Sequence, residues 1–161
     1  MTRYNPEIHH RHSIRLPEYD YSNPGTYFVT ICTHEKKCLF GSVTDDCMVK
    51  NNIGELIEKV WMELQKRFPT IKTDEFIVMP NHVHGIIWIT EKSSNGSPTL
   101  GSIIRVFKSI SAIDANKIIG RSGASLWQRN YYERIIRNDY ELYNIREYIK
   151  NNPAKWRYDE H

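Results

Sequence analysis

The sequence predicts an α+β sandwich, one central antiparallel sheet with helices packed on it. Three observations carry that expectation. A chain of 161 residues is long enough for one domain with a sizeable core. Two amphipathic helical patterns, over 52–68 and from Thr99 to about Gly120, each lie between β-type runs. Between those helices, Phe76–Met79 and His82–Ile89 read as two apolar strands broken at Pro80-Asn81.

Residues 1–24 are polar, carry Pro6, Pro17 and Pro24, and read as an N-terminal arm. His9, His10 and His12 lie there; a solvated or loosely docked arm explains them more simply than a second metal site does. From Gly25 the run Tyr27-Phe28-Val29-Thr30-Ile31-Cys32-Thr33 is β-branched and aromatic, hence a strand. Lys37–Phe40 and Cys47–Val49, split by Gly41 and Asp45-Asp46, suggest a small hairpin. Asn52 and Glu55 stand at capping-box spacing, and Ile53, Leu56, Ile57, Val60, Trp61 and Leu64 keep helical period to about Phe68. Glu91–Pro98 has loop composition. Leu100, Ile103, Ile104, Phe107 and Ile110 then mark the second helix, with Arg105 and Lys108 off its apolar stripe. Ser125–Arg137 reads as extended. Asn138 with Glu141 repeats the capping spacing and opens a helix over 138–152.

Without the hairpin and the last helix, the order is β-α-β-β-α-β, the ferredoxin-like plan that RNA-recognition-type (RRM-like) domains also use. In that plan the strand carrying His82 is central. Val83, Ile87 and Ile89 face the two crossover helices, and His82 and His84 look out of the opposite face, because side chains alternate along a strand. Only the C-terminal helix is left to cover that face.

The bulk numbers exclude some classes. No apolar run is long enough to span a bilayer, and the first residues lack the apolar segment of a signal peptide. Cys32, Cys38 and Cys47 are odd in number and lack Cys-x-x-Cys spacing, so they read as reduced thiols of a cytoplasmic protein. The net charge of +3 is unevenly placed: residues 99–137 hold seven Lys/Arg against two Asp/Glu. Such a surface suits a polyanion, although many solvated helices share it.

Two imidazoles on one strand form half of a metal site; a bare His-x-His is more often a pair without a ligand, and a third donor must come from elsewhere. Residues four apart share a helix face, so Tyr148 and Asn152 project together with Ile145 and Ile149. Laid over the open sheet face, that side would bring a phenol and an amide oxygen to the histidines. Two His and one Asn, with open positions, suit Mg²⁺ or Mn²⁺ bound together with a substrate phosphate. A phenol has an ordinary pKa of about 10 and needs a polarised phosphate to attack near neutrality. On chemistry alone Tyr131, Tyr132, Tyr140 and Tyr143 stay open as nucleophiles, and packing is the ordinary fate of a tyrosine.

Met79-Pro80-Asn81-His82-Val83-His84-Gly85 resembles the HUH motif of single-tyrosine transposases, and the similarity is greatest to the REP-associated tyrosine transposases, relatives of the small insertion-sequence transposases. It extends from Arg15-Leu16 and Gly25–Thr30 through Leu126-Trp127-Gln128-Arg129-Asn130-Tyr131-Tyr132-Glu133 to Arg146–Trp156, in order along nearly the whole chain. The resemblance implies that His82, His84 and Asn152 hold the divalent ion and that Tyr148 is the nucleophile. It implies a metal-dependent single-stranded DNA endonuclease and strand transferase acting at DNA hairpins. Its tyrosine takes the 5′ phosphate and releases a 3′ hydroxyl. On that basis Arg105, Lys108, Arg129, Arg134 and Arg137 are candidates for phosphate contacts. Trp127 and Tyr131 are candidates for base stacking, although core packing is the simpler reading of both. A cytoplasmic protein, nucleoid-associated when bound to DNA, is expected. The chain stops soon after Trp156, where some relatives carry longer tails.

Two other readings compete. A histidine-triad nucleotide hydrolase needs a third histidine where Ile86 stands. A retired transposase kept as a nucleic-acid-binding module would have no need of the complete catalytic set. Whether Tyr148 serves its own chain or a homodimer partner is open in the sequence.

Overall fold

The computed structural model describes residues 24–90 and 98–158. Residues 1–23, with His9, His10, His12 and nearly all of the expected arm, and residues 91–97, most of the expected loop, lie outside the described residues. Strand β1 (Gly25–Cys32) is followed by the hairpin of β2 (Gly41–Thr44) and β3 (Cys47–Lys50). Helices α1 (Asn52–Met62) and α2 (Leu64–Arg67) lead to β4 (Ile71–Met79) and β5 (His82–Ile89). Then come α3 (Leu100–Ile119), β6 (Tyr132–Ile136), α4 (Asp139–Lys150) and a 3₁₀ turn over Pro153–Tyr158.

The main sheet has the order β4-β5-β1-β6, and each neighbouring pair is antiparallel. Strands β1 and β4 therefore run parallel with β5 inserted between them. This is the α+β sandwich expected from the sequence, with the His82 strand inside the sheet. Tyr27, Val29 and Ile31 of β1 and Val83, Ile87 and Ile89 of β5 share one face. They pack against Ile57, Val60 and Trp61 of α1 and Leu100, Ile103, Ile104 and Phe107 of α3. Gly85 lies on this face because a methyl group there would run into the Trp61 indole. Trp61 instead stacks on Phe76, ring centroids 4.5 Å apart. The opposite face buries a smaller set: Phe28, Ile86 and Ile136 of the sheet with Leu142, Ile145, Tyr148 and Ile149 of α4.

Local signals locate most element ends. Thr99 and Ser102 form a reciprocal capping box, and Gly120, at φ 89°, closes α3 in the left-handed conformation. Asn138 accepts from the Glu141 N–H at 2.8 Å, while the Glu141 carboxylate turns to the N–H of Arg137. Several boundaries differ from expectation. The first helix is capped by Asn51, not Asn52, and is interrupted at Glu63. The hairpin's first strand begins at Gly41, because Phe40 is drawn into the core and donates its N–H to Pro80 O at 3.1 Å. Its turn is Asp45-Asp46, both at positive φ (52° and 62°), as a two-residue hairpin of primed type requires. Strand β4 starts at Ile71 and carries a bulge between Thr73 and Phe76 that breaks the alternation. Of the extended segment expected over Ser125–Arg137, 132–136 is strand, and Trp127 makes an isolated bridge to Thr33.

The bulge presents Asp74 to α4. Its Oδ1 accepts from Arg146 Nε at 2.9 Å and from the Glu75 N–H at 2.6 Å. Its Oδ2 accepts from Arg146 Nη2 at 2.7 Å and from Trp88 Nε1 at 2.9 Å. This bidentate pair ties α4 to the edge strand. The Arg146 hydrogen bonds hold the Asp74 carboxyl at about 2, below its ordinary 3.8. A depressed carboxyl contributes stability that is complete above the ordinary value and is lost as pH falls through about 2. Replacing Asp74 with Asn should cost about 1.5–3 kcal/mol of α4 docking. Hydrogen exchange should then accelerate in α4 while α3 keeps its protection. Equal acceleration in both helices, or none in α4, would show that the pair does not hold this helix.

Candidate active site

Adjacent same-face positions on β5 bring His82 and His84 together, with ring centroids 4.6 Å apart and planes at 73°. Both residues are buried. Each ring is oriented through Nδ1. His82 Nδ1 lies 2.7 Å from Asn81 Oδ1, and the Asn81 Nδ2 donates to Lys36 O, which fixes the amide's direction. The Asn81 carbonyl in turn accepts from the N–H and hydroxyl of Thr33 at 2.9 and 3.1 Å. His82 therefore donates from Nδ1, which makes Nε2 the nitrogen that would ligate a metal. His84 Nδ1 lies 2.8 Å from the hydroxyl of Thr30, its direct cross-strand partner on β1. An accepting Thr30 hydroxyl would give His84 the same orientation of its proton. Phe28 stacks on the His84 ring at 5.5 Å.

Helix α4 sets Tyr148 against this pair. The phenol ring meets His84 edge-on, centroids 5.3 Å apart at 66°, and stands edge-on to Phe28 at 6.2 Å. Tyr148 is 8% exposed. Asn152 is also buried, but it lies past the end of α4, where its N–H donates to Ile149 O at 3.2 Å in a tightened last turn. The following 3₁₀ turn brings the Trp156 ring within 6.2 Å of His82. Thus two imidazoles, a phenol and an indole gather on the face that α4 covers, and Asn152 is buried four residues after the phenol. Among the described residues no three His, Cys, Asp or Glu side chains form a metal cluster. Among the described residues, a third protein donor beside the histidines would be an oxygen such as that of the Asn152 amide. Two imidazole nitrogens with their other nitrogens hydrogen-bonded, plus one amide oxygen, form a donor set that fits Mn²⁺ or Mg²⁺.

The other tyrosines are placed differently. Tyr140 and Tyr143 are exposed on the outer side of α4. Tyr131 packs against the large core. Tyr132 pairs with Thr30 from β6 and shares the histidine face. Ile86 is buried in the smaller core cluster, so the third position of a histidine triad is taken by packing.

Of the residues considered for DNA contact, Arg105, Arg129 and Arg137 are exposed. Arg134 is half-buried, with its guanidinium 3.5 Å from the Glu141 carboxylate. Lys108 is turned inward: Nζ donates to the carbonyls of Gln128, Arg129 and Asn130 at 2.8, 3.1 and 3.4 Å. It also lies 5.6 Å over the Tyr131 ring, and burial lowers its ammonium to about 8. Lys108 thus ties the segment before β6 to α3. Trp127 is core: it packs on Phe40 and Phe107 and donates Nε1 to Ser111 Oγ at 2.9 Å.

Thr30 and Asn81, which orient the imidazoles, escape a reading of the sequence. Thr30 shows there as a strand former and Asn81 as a turn residue, and their role depends on register. Replacing Thr30 by isosteric Val should shift the Nδ1/Nε2 tautomer balance of His84, read from imidazole ¹⁵N shifts, and leave His82 unchanged. Unaltered His84 shifts would mean that the hydroxyl does not set its tautomer.

The profile of the family described as "Transposase IS200 like" matches residues 25–152. A Haemophilus influenzae protein of uncharacterised function is 41% identical across 99% of this chain and 97% of its own length. A second protein of that organism, carrying the provisional name REP-associated tyrosine transposase, is 25% identical over 88% of this chain and 77% of its own. The solved structure of a REP-associated tyrosine transposase bound to a REP hairpin aligns with a TM-score of 0.61. It is 20% identical, the match covering 88% of this chain and 74% of that one, a likeness that bears on the fold alone.

Proposed function

This chain belongs to the IS200-like transposase family, and from that premise we propose that it is a metal-dependent nickase and strand transferase acting on single-stranded DNA beside hairpins, with Tyr148 as nucleophile. The observation that carries the reading is the edge-on contact of Tyr148 with His84 within one chain. It supports a tyrosine that serves its own site, with no partner subunit needed to complete it.

His82, His84 and Asn152 would hold Mg²⁺ or Mn²⁺. When bound, such an ion polarises the scissile phosphate and offsets charge on the departing oxygen. The chain's own residues do the rest. Asn81 and Thr30 orient each imidazole through Nδ1, so Nε2 would be the nitrogen that holds the ion. Phe28 and His84 confine the Tyr148 ring, which limits where its oxygen can approach a phosphate. Attack by the phenol oxygen forms the tyrosyl–phosphorus bond and breaks the bond from phosphorus to the 3′ oxygen. The phenol loses one proton and the 3′ oxygen takes one up, so the step is proton-neutral. A 3′ hydroxyl of another strand can reverse the linkage with no external energy source. Arg105, Arg129 and Arg137, which are exposed, are the candidates to meet DNA phosphates. The hairpin substrate is proposed by likeness to the neighbour solved with a REP hairpin.

Incubation with single-stranded hairpin DNA and Mn²⁺, read on denaturing gels, should give a covalent protein–DNA adduct. Tyr148→Phe should abolish it. Asn152→Ala should raise the Mn²⁺ needed for half-maximal adduct by about 10–100-fold, the range seen when metal-site support is removed. Tight binding with no adduct would leave a binding module, and an adduct that survives in Tyr148→Phe would assign the nucleophile elsewhere.

A further inference from the structure

Glu35 and Lys36 stand side by side at φ 57° and 55°, in the left-handed region that glycine and asparagine enter most readily. The Lys37 N–H donates to His34 O at 3.3 Å across them, so 34–37 forms a turn of primed type. The side chains do not explain this conformation. Both are exposed, and the contacts of Glu35 with His34 at 3.6 Å and Lys37 at 3.4 Å lie at the surface, where such pairs contribute little. Hydrogen bonds from the buried Thr33 and from the backbone hold the turn instead. The Lys36 N–H donates to Thr33 O at 3.0 Å, the Thr33 hydroxyl to Lys37 O at 2.8 Å, and the His34 N–H to Leu126 O at 2.9 Å. Strain that the surroundings maintain points to a function. Here the turn reaches inward through Lys36 O, which accepts from Asn81 Nδ2 at 3.3 Å. The other end of that buried amide, Oδ1, lies 2.7 Å from His82 Nδ1.

We propose that the left-handed backbone at Lys36 is a positioning device for the metal site: it aims Lys36 O at the Asn81 amide and so decides which nitrogen of His82 faces the ion. The inference rests on the reading of His82 as a metal ligand and adds to it the element that selects the ligating nitrogen. An amide carries an acceptor at one end and a donor at the other. While Lys36 O takes the Nδ2 end, Oδ1 is turned to the ring, and His82 donates from Nδ1. With Lys36 relaxed to negative φ, its carbonyl would swing away and no longer hold the amide against turning over. An NH₂ group facing the ring would draw a lone pair to Nδ1 and put the proton on Nε2, which closes that nitrogen to a metal.

The test uses the full chain with Lys36 exchanged for Gly, Asn, Ala or Val. Each exchange removes the same charge, so the series varies in tolerance of positive φ, which falls from Gly and Asn through Ala to Val. Imidazole ¹⁵N shifts are read without metal at about pH 8.5, where an ordinary histidine is neutral. Mn²⁺ affinity is read by calorimetry without DNA. Lys36→Gly and Lys36→Asn should keep the His82 shifts of the unmodified chain and bind Mn²⁺ within about twofold of it. Lys36→Val should move the His82 shifts toward the Nε2-protonated form and weaken Mn²⁺ binding about tenfold, the low end of the range for lost outer-shell partners. His84, oriented by Thr30 from β1, should keep its shifts throughout, which separates positioning from a general loss of structure. If Lys36→Val does not fold, the contrast of Ala with Gly carries the same comparison. The inference is overturned if the His82 shifts are alike in all folded variants, or if His84 moves in step with His82. It is also overturned if Gly and Asn lose as much affinity as Val, the mark of the lysine charge. Shifts that move as expected in a series that binds no Mn²⁺ uphold the hold of the turn on His82 and sink the metal-site reading instead.

Discussion

The bidentate pair between Arg146 and Asp74 is the contact on which the geometry of the site depends. Helix α4 is mostly polar, and its apolar contribution to the sheet is Leu142, Ile145, Ile149 and the ring of Tyr148. That cluster is small beside the core on the opposite face, so docking by apolar burial alone would leave the helix free to slide. The Asp74 carboxylate accepts four hydrogen bonds, from Arg146 twice, from Trp88 and from the Glu75 backbone. All its lone-pair sites are occupied, so the charge is compensated where it sits. Tyr148 follows Arg146 by two residues. Whatever sets the rotation and height of the helix at Arg146 also sets where the phenol meets His84.

The two sheet faces divide the labour. The α1 and α3 side carries the large aliphatic and aromatic core, with Trp61 filling the space that Gly85 leaves open. The opposite side carries the proposed site. The imidazoles draw their orientation from parts anchored in the large core: Thr30 from β1, whose neighbours Val29 and Ile31 point into that core, and Asn81 from the turn before β5. The histidines are therefore rigid for reasons that have little to do with α4.

Much of this was legible in the sequence, and the gaps have physical causes. Period-two alternation suffices to put His82 and His84 on one face and Val83 on the other, and helical spacing suffices to put Tyr148 beside Ile145 and Ile149. Capping spacing located Asn138, and placed the first helix start within one residue, because a helix end is decided within four residues. Register and long-range pairing are not local. Nothing near Thr30 says that it will stand opposite His84, and the bulge at Asp74 hides the strand around it. Gly41 looked like a break and is instead the first residue of β2. Lys108 shows how composition misleads: a lysine in a basic stretch suits nucleic acid, yet the fold uses it to bind three carbonyls. Trp127 fills the core, the packing that an aromatic residue ordinarily finds. That leaves the exposed arginines as the cationic candidates.

Because the two halves of the site are held separately, they can be perturbed separately. The imidazole pair depends on neutral hydrogen bonds from β1 and the turn before β5. Tyr148 and Asn152 depend on α4 and its last turn, and so on the charge pair at Asp74. A loosened charge pair would move the phenol and the amide together while the histidines stay in place. Loss of Thr30 would turn one imidazole while the phenol stays in place. The proposed metal site straddles that boundary, with two donors on the sheet and one just past the end of the helix. An ion bound there would add a third tie between α4 and the sheet, so its affinity and the docking of the helix should rise and fall together.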